Sequence, residues 1–170
     1  MSLLSIFLMD EPIRRLPHIR DLVTDVSWNY EINQHIRPLK PKPREADGTC
    51  RMQQKDIERI QEFHKCIECF LCQNVCHVMR DQQVKEFAGP RFLIRIASLA
   101  MHPLDTLNRL QELKDVFGIG YCNITKCCTE VCPEDIAITD NAIIPLKVRV
   151  AGAFYDPLAW LWRSLTSVSK

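Results

Sequence analysis

Two short stretches of the chain hold eight of its nine cysteines: Cys66-Ile-Glu-Cys69-Phe-Leu-Cys72-Gln-Asn-Val-Cys76 and Cys122-Asn-Ile-Thr125-Lys-Cys127-Cys128-Thr-Glu-Val-Cys132-Pro133. An odd cysteine count excludes a fully paired disulfide framework. Thiols packed this closely, in a chain without a secretory signal, read as metal ligands in a reducing compartment. Moving the first stretch along by 56 residues lays Cys66 on Cys122, Cys69 on Thr125, Cys72 on Cys128 and Cys76 on Cys132. One C-x2-C-x2-C-x3-C skeleton is therefore written twice, with one ligand missing from the second copy.

The spacing has a physical meaning. Two-residue gaps let successive thiolates wrap one face of a small iron–sulfide cube, while the last cysteine points away and, in the two-cluster pattern, ligates the other cluster. By that crossing rule Cys66, Cys69, Cys72 and Cys132 make four thiolates for a [4Fe–4S] cluster. Cys76, Cys122 and Cys128 make three, and Thr125 stands where a fourth belongs, which predicts a [3Fe–4S] cluster. With one fewer anionic ligand the second cluster should sit at the higher potential, so electrons should pass from the first to the second. Structural zinc fits poorly, because it takes four ligands as two C-x2-C pairs rather than seven in this pattern. Cys127 is expected to be a packed or weakly exposed thiol rather than a ligand, since its neighbour Cys128 holds the repeat position and adjacent side chains diverge, and Cys50 an ordinary residue of the N-terminal arm. His64 and His102 are expected on the surface.

Helices must position these loops. Met52, Ile57, Ile60, Phe63 and Ile67 recur at helical spacing ahead of the first motif. Gly89-Pro90 opens a second helix with Phe92, Leu93, Ile96, Leu99 and Ala100 on one face, ended by Pro103. A third is predicted from about Asp105 to Phe117, stopped by Gly118, with the stripe Leu107, Leu110, Leu113 and Val116. Thr139 or Asp140 should cap a fourth running toward Val150, kinked or delayed by Pro145. No run alternates as a strand would, so the expected class is all-α, a helical ferredoxin-like domain with cluster loops between helices. Prolines through residues 1–50, dense at Pro38, Pro41 and Pro43, predict an extended arm or linker. The helical domain is expected over 51–155 and an aromatic tail over 156–170.

Composition agrees. Over 170 residues the hydrophobic share is 46%, the charged share 25% and the net charge +1, which describes an ordinary globular protein without an electrostatic footprint for nucleic acid. Leu3 to Met9 is apolar but too short to span a bilayer and lacks the pattern of a signal peptide, which predicts a cytoplasmic-side protein.

With both motifs in view, the chain resembles the iron–sulfur subunit of succinate dehydrogenase and fumarate reductase. That family joins a full four-cysteine motif to a C-x5-C-x3-C-P motif with a non-cysteine in its middle, matched here by Cys122, Thr125, Cys128, Cys132 and Pro133. The likeness runs over residues 17–155, including Arg20-Asp-Leu-Val-Thr-Asp25. It implies an electron relay between a flavoprotein subunit, whose FAD oxidises succinate or reduces fumarate, and a quinone near the [3Fe–4S] cluster at membrane anchor subunits. No catalytic acid, base or nucleophile is then expected in this chain. It also implies a peripheral place on the cytoplasmic side of a bacterial plasma membrane.

Two departures stand out. The family's [2Fe–2S] domain needs four cysteines, and only Cys50 precedes Cys66, so that domain is expected to be cut off or carried on a separate chain. His77 and Asn123 stand where the family usually has proline and histidine. Those positions line the family's quinone site, so the resemblance points to His77, Asn123 and Thr125 for that pocket; otherwise His77 hydrogen-bonds a cluster sulfide or the backbone. The C-terminal Phe154, Tyr155, Leu158, Trp160, Leu161, Trp162 and Arg163 would dock on the membrane anchor or pack on the domain. Heterodisulfide-reductase-like and glycolate-oxidase-like cluster subunits usually repeat the complete motif, against which Thr125 argues. A non-redox structural metal module is the reading from another class.

Overall fold

The computed structural model describes residues 16–82 and 84–156, so Leu3 to Met9 and the tail from Leu158 to Arg163 lie outside the described residues. The architecture is all-α apart from one small hairpin. In chain order its elements are β1 (His18–Arg20), β2 (Val23–Thr24), α1 (Ser27–Gln34), α2 (Gln54–Gln61), α3 (Leu71–Asn74), α4 (His77–Arg80), α5 (Pro90–Ala100), α6 (Leu110–Asp115), α7 (Cys127–Glu130) and α8 (Ile144–Phe154). Single 3-10 turns at Glu62–Lys65 and Ile119–Tyr121 lead into the two cysteine motifs. β1 and β2 pair antiparallel with His18 opposite Thr24.

The expected helix after Gly89-Pro90 is the centre of the fold. Pro90 sits in the first turn of α5, where its missing N–H costs nothing. The sequence predicted one apolar face, but α5 is buried nearly all round: Phe92, Leu93, Ile94, Ile96 and Ala97 are at most 1% exposed, and Arg91 and Ser98 are buried with them. The turn at Ile138–Ile143 after the second motif, the 3-10 turn before the first, α2 and α3 all pack on it. Each buried large apolar side chain here contributes about 1.5–3 kcal/mol. A surface-helix reading fails for α5 because its buried polar groups find partners: Ser98 Oγ donates to the Arg95 carbonyl at 2.8 Å, and Arg91 reaches Asn33 and Glu68.

Gly89 lies at φ +96°, and a Cβ there would stand 2.4 Å from Met79 Sδ and 3.1 Å from Gln73 Nε2. Gln73 Nε2 donates to the Ala88 carbonyl at 3.1 Å, which ties α3 to the entry of α5. Gly89→Ala should therefore destabilise the chain by about 1–3 kcal/mol. A Tm equal to that of the parent would refute this close approach.

The third predicted helix is shorter than expected. Residues 104–106 instead pair with the arm: Lys42 N donates to the Leu104 carbonyl at 3.0 Å and Thr106 N to the Lys40 carbonyl at 3.0 Å. Helical backbone begins only at Leu110 and ends before Gly118, which adopts the left-handed φ of +57°. The arm also contains a helix that its prolines seemed to forbid. α1 fits between Pro17 and Pro38, and Trp28 meets Phe92 edge-on at 5.6 Å. The fourth helix starts as a π-turn over Ile138–Ile143 that passes directly into α8, with Pro145 in the first turn of α8. A proline is tolerated in that first turn, where its missing N–H costs no intrahelical bond, so the helix is not interrupted. Thr139 does not cap it, because its hydroxyl is used elsewhere.

Candidate functional site

The internal repeat seen in the cysteines is repeated in the backbone. Glu68 and Phe70 take left-handed φ values of 57° and 63°, and their counterparts 56 residues on, Ile124 and Lys126, take 61° and 62°. Each pair brackets the middle ligand position, Cys69 in one copy and Thr125 in the other. Left-handed backbone costs a non-glycine residue about 1–2 kcal/mol, so four such residues at matched positions mark a loop shape held for a purpose. A left-handed residue followed by the right-handed start of α3 or α7 forms a concave nest of backbone N–H groups, the form that binds anions and iron–sulfur clusters. The helices line up too, α3 on α7, and the two pack on each other.

This geometry sorts the cysteines into two cavities. Cys66, Cys69, Cys72 and Cys132 line one, together with Ile94, Ile138 and Arg91. Cys76, Cys122 and Cys128 line the other, together with Asn123, Thr125, Lys126 and Cys127. Cys132 thus crosses from the second motif to the first cavity and Cys76 from the first motif to the second. Cys72 and Cys128, both buried, are near enough for their charges to interact. Among the described residues no three His, Cys, Asp or Glu side chains form a group that could hold a single metal ion. Thiols spread around a cavity fit a polynuclear cluster, whose iron atoms each take one protein ligand.

The 4Fe-4S dicluster domain family matches residues 62–136, the span of both motifs. A solved structure of the Mycobacterium smegmatis Sdh1 complex in the apo form contains a chain 59% identical to this one, with a TM-score of 0.81, covering 92% of this chain and 69% of that one. Among curated relatives, a fumarate reductase (CoM/CoB) subunit of Methanothermobacter marburgensis is 32% identical over 87% of this chain and 29% of its own length. The succinate dehydrogenase iron–sulfur subunit of Bacillus subtilis is 27% identical over 77% of this chain and 53% of its own length. The chain belongs to the succinate dehydrogenase and fumarate reductase iron–sulfur family. It spans about half or less of the length of these two curated relatives.

The family's thiols are held by their surroundings in this chain. Burial pushes the Cys72 thiol far above its ordinary range, and the nearby thiols Cys128, Cys66, Cys69 and Cys132 add to it. Burial raises Cys76 to about 11 and raises Cys66 as well, although a backbone N–H and Arg91 pull Cys66 back. Iron must therefore replace protons when a cluster enters. Around Cys128 the hydroxyls are directional. Thr129 Oγ1 donates to Thr139 Oγ1 at 3.1 Å, which leaves the Thr139 hydrogen for Cys128 Sγ at 3.3 Å. A hydrogen bond to a ligand sulfur stabilises the reduced cluster. Thr139→Val should lower the potential of the second cluster and leave the first unchanged, as read by redox titration.

Glu62 fastens the two motifs together from behind. Its carboxylate accepts from the Ala137 N–H and from Asn141 Nδ2, each at 2.6 Å. Lys147 Nζ donates to the Cys122 carbonyl, and Lys126 Nζ pairs with Asp140 at 2.8 Å. Of the residues expected beside a quinone, Asn123 Nδ2 and His77 Nε2 lie 2.5 Å apart and Thr125 is exposed on the same cavity rim.

Cys127 is half-buried and lines the second cavity beside Cys128, with its sulfur 3.5 Å from Thr125 Oγ1. The tight first turn of α7 keeps adjacent side chains on one concave wall, where simple alternation would separate them. Cys50 is exposed, as is His64, while His102 is half-buried and its Nδ1 accepts from the Leu104 N–H at 3.2 Å. Phe154 packs against the core, with Lys114 Nζ 4.8 Å above its ring. No helix among the described residues is long and apolar enough to cross a membrane. Sequence reasoning missed Arg91, although its place one residue after Pro90 in an apolar helix was a signal that it is buried.

Proposed function

We propose that the chain is the electron-relay part of a succinate:quinone oxidoreductase. Cys66, Cys69, Cys72 and Cys132 hold a [4Fe–4S] cluster, and Cys76, Cys122 and Cys128 hold a [3Fe–4S] cluster. The observation that carries this reading is the crossed sorting of the seven thiols into two adjacent cavities, with Thr125 at the place of the absent eighth. When bound, each cluster supplies a one-electron acceptor and donor.

The chain's residues do the rest. The repeated left-handed loops would offer backbone N–H groups to a bound cluster, and the packed α3 and α7 keep the two cavities adjacent. With both clusters bound, the four-thiolate side would receive electrons from a flavoprotein subunit carrying FAD, and the three-thiolate side would pass them to quinone at the membrane anchor, on the cytoplasmic face. There the paired His77 and Asn123, with Thr125, form the polar shelf that binds the quinone head group, and His77 is the titratable group able to pass it protons. The helical domain 51–155 is the two-cluster unit, and the family's [2Fe–2S] cluster would complete the path toward the flavin.

Electron paramagnetic resonance with iron and sulfide analysis tests this. An oxidised [3Fe–4S] signal that vanishes on reduction is expected, with about seven irons per chain. Zinc, or iron that never changes oxidation state, would end the electron-transfer reading. A four-thiolate cluster at the higher potential would reverse the direction of flow. Unchanged quinone reduction after His77→Ala in the assembled complex would remove the quinone assignment.

A further inference from the structure

We infer that Arg91 is the electrostatic tuning residue of the first cluster: a buried guanidinium against its cavity that holds its reduction potential up. The inference rests on the assignment of a [4Fe–4S] cluster to Cys66, Cys69, Cys72 and Cys132.

The Arg91 side chain is 3% exposed, and it lines the cavity formed by those four cysteines. Its guanidinium is fixed from several sides. It donates to Asn33 Oδ1 of α1 at 2.9 Å, pairs with Glu68 Oε2, and stacks 4.6 Å from the Phe92 ring centroid and 5.4 Å from that of Phe70. Burying an arginine is costly, and a helix that needed only apolar packing would carry leucine here. The ion pair alone does not account for the placement, because Glu68 is 53% exposed and remains largely in water. The charge is therefore screened unequally. Water weakens the field of Glu68, while the guanidinium acts on the cavity through protein of low polarity.

The other charges nearby are Glu134 on the same cavity wall and Arg95 on the adjoining crevice beside Arg91 and Glu68. Arg95 is exposed. Arg91 is the buried member of this set. A cluster becomes more negative when it takes an electron, so a fixed buried cation favours the reduced form and raises the potential. The transfer is one electron in and one electron out, with no bond made or broken. The effect brings the first cluster nearer the second and moderates the drop between them. Because Asn33 belongs to α1, the seating of the arm helix positions the tuning charge.

The test is a redox titration of the cluster-loaded full chain, following both clusters by electron paramagnetic resonance. Arg91→Met should weaken the electron affinity of the first cluster at least tenfold, a fall of 59 mV for a one-electron couple, with the second cluster unmoved. Arg91→Lys should restore most of the difference. Glu68→Gln, at a half-exposed side chain and so independent of core packing, should shift the first potential upward. Loaded Arg91→Met protein with an unmoved first potential would overturn the inference. If Arg91→Met does not load, an unmoved Glu68→Gln potential overturns it, and an upward shift supports it. Absence of the four-thiolate cluster from the unaltered chain would instead sink the assignment beneath it.

Discussion

Thr125→Cys should fill the second cluster with a fourth iron. Thr125 occupies the position of Cys69 in the repeat, and its backbone neighbours Ile124 and Lys126 share the left-handed shape of Glu68 and Phe70. The loop is thus already bent to present a thiolate at 125, and Thr125 lines the cavity with Cys76, Cys122 and Cys128. The substitution replaces one short side chain by another at an exposed site, so folding should be untouched. The oxidised [3Fe–4S] signal should disappear, the iron count should rise by one, and a reduced [4Fe–4S] signal should take its place. An added thiolate makes the cluster more negative, and its potential should fall by on the order of 0.1 V or more within the roughly 1 V span of such clusters. Since 59 mV is tenfold in a one-electron equilibrium, electrons would no longer run downhill to the quinone side, and turnover with quinone should collapse. Retention of the [3Fe–4S] signal with unchanged iron would show that more than a missing ligand keeps the fourth iron out. Cys127 borders the same cavity, so the result should persist in a Thr125→Cys, Cys127→Ser double variant.

The cluster loops were legible because they obey local rules. Ligand spacing is written in consecutive residues, and the four-position match between Cys66–Cys76 and Cys122–Cys132 needs no tertiary information. α5 and the stop at Gly118 were legible for the same reason. What escaped depends on distant partners. Residues 105–109 belong to a helical stripe, yet they stay out of α6, because Leu104, Asp105 and Thr106 bond to the backbone of Lys42 and Lys40, more than 60 residues away in sequence. α1 is an eight-residue helix of low intrinsic stability that exists because Trp28 finds Phe92 and Asn33 finds Arg91. Arg91 itself is charged, and nothing in its immediate neighbours shows that the partners needed to bury it come from the arm and from the first cluster loop.

Arg109→Met should cost the fold about 3–5 kcal/mol, the loss expected when one half of a buried ion pair is removed. Arg109 and Asp105 are each 2% exposed and meet at 2.9 Å. Arg109 also donates to the carbonyls of Arg37 at 2.7 Å and Pro38 at 3.0 Å, so one guanidinium clamps the arm against the start of α6. Asp105 completes the clamp by accepting from the Lys40 N–H at 3.1 Å and the Leu107 N–H at 3.3 Å. Burial pushes the Asp105 carboxyl up, but the bonds from Arg109, Lys40 and Leu107 together outweigh it and hold the group below its ordinary range. A depressed carboxylate contributes stability that is present above the unfolded value of about 4 and is lost as pH falls through the folded value. The parent chain should therefore weaken below about pH 4 from this site. In Arg109→Met the burial remains without the cation, so the carboxylate becomes the destabilising form. Its deficit should be largest near neutral pH, roughly a 10 °C fall in Tm for a chain of this size, and should shrink on mild acidification as Asp105 takes up a proton. A variant whose deficit is independent of pH would show that Arg109 acts by filling space alone. One that melts like the parent would show that the arm is held by its backbone pairing with residues 104–106 and needs no clamp.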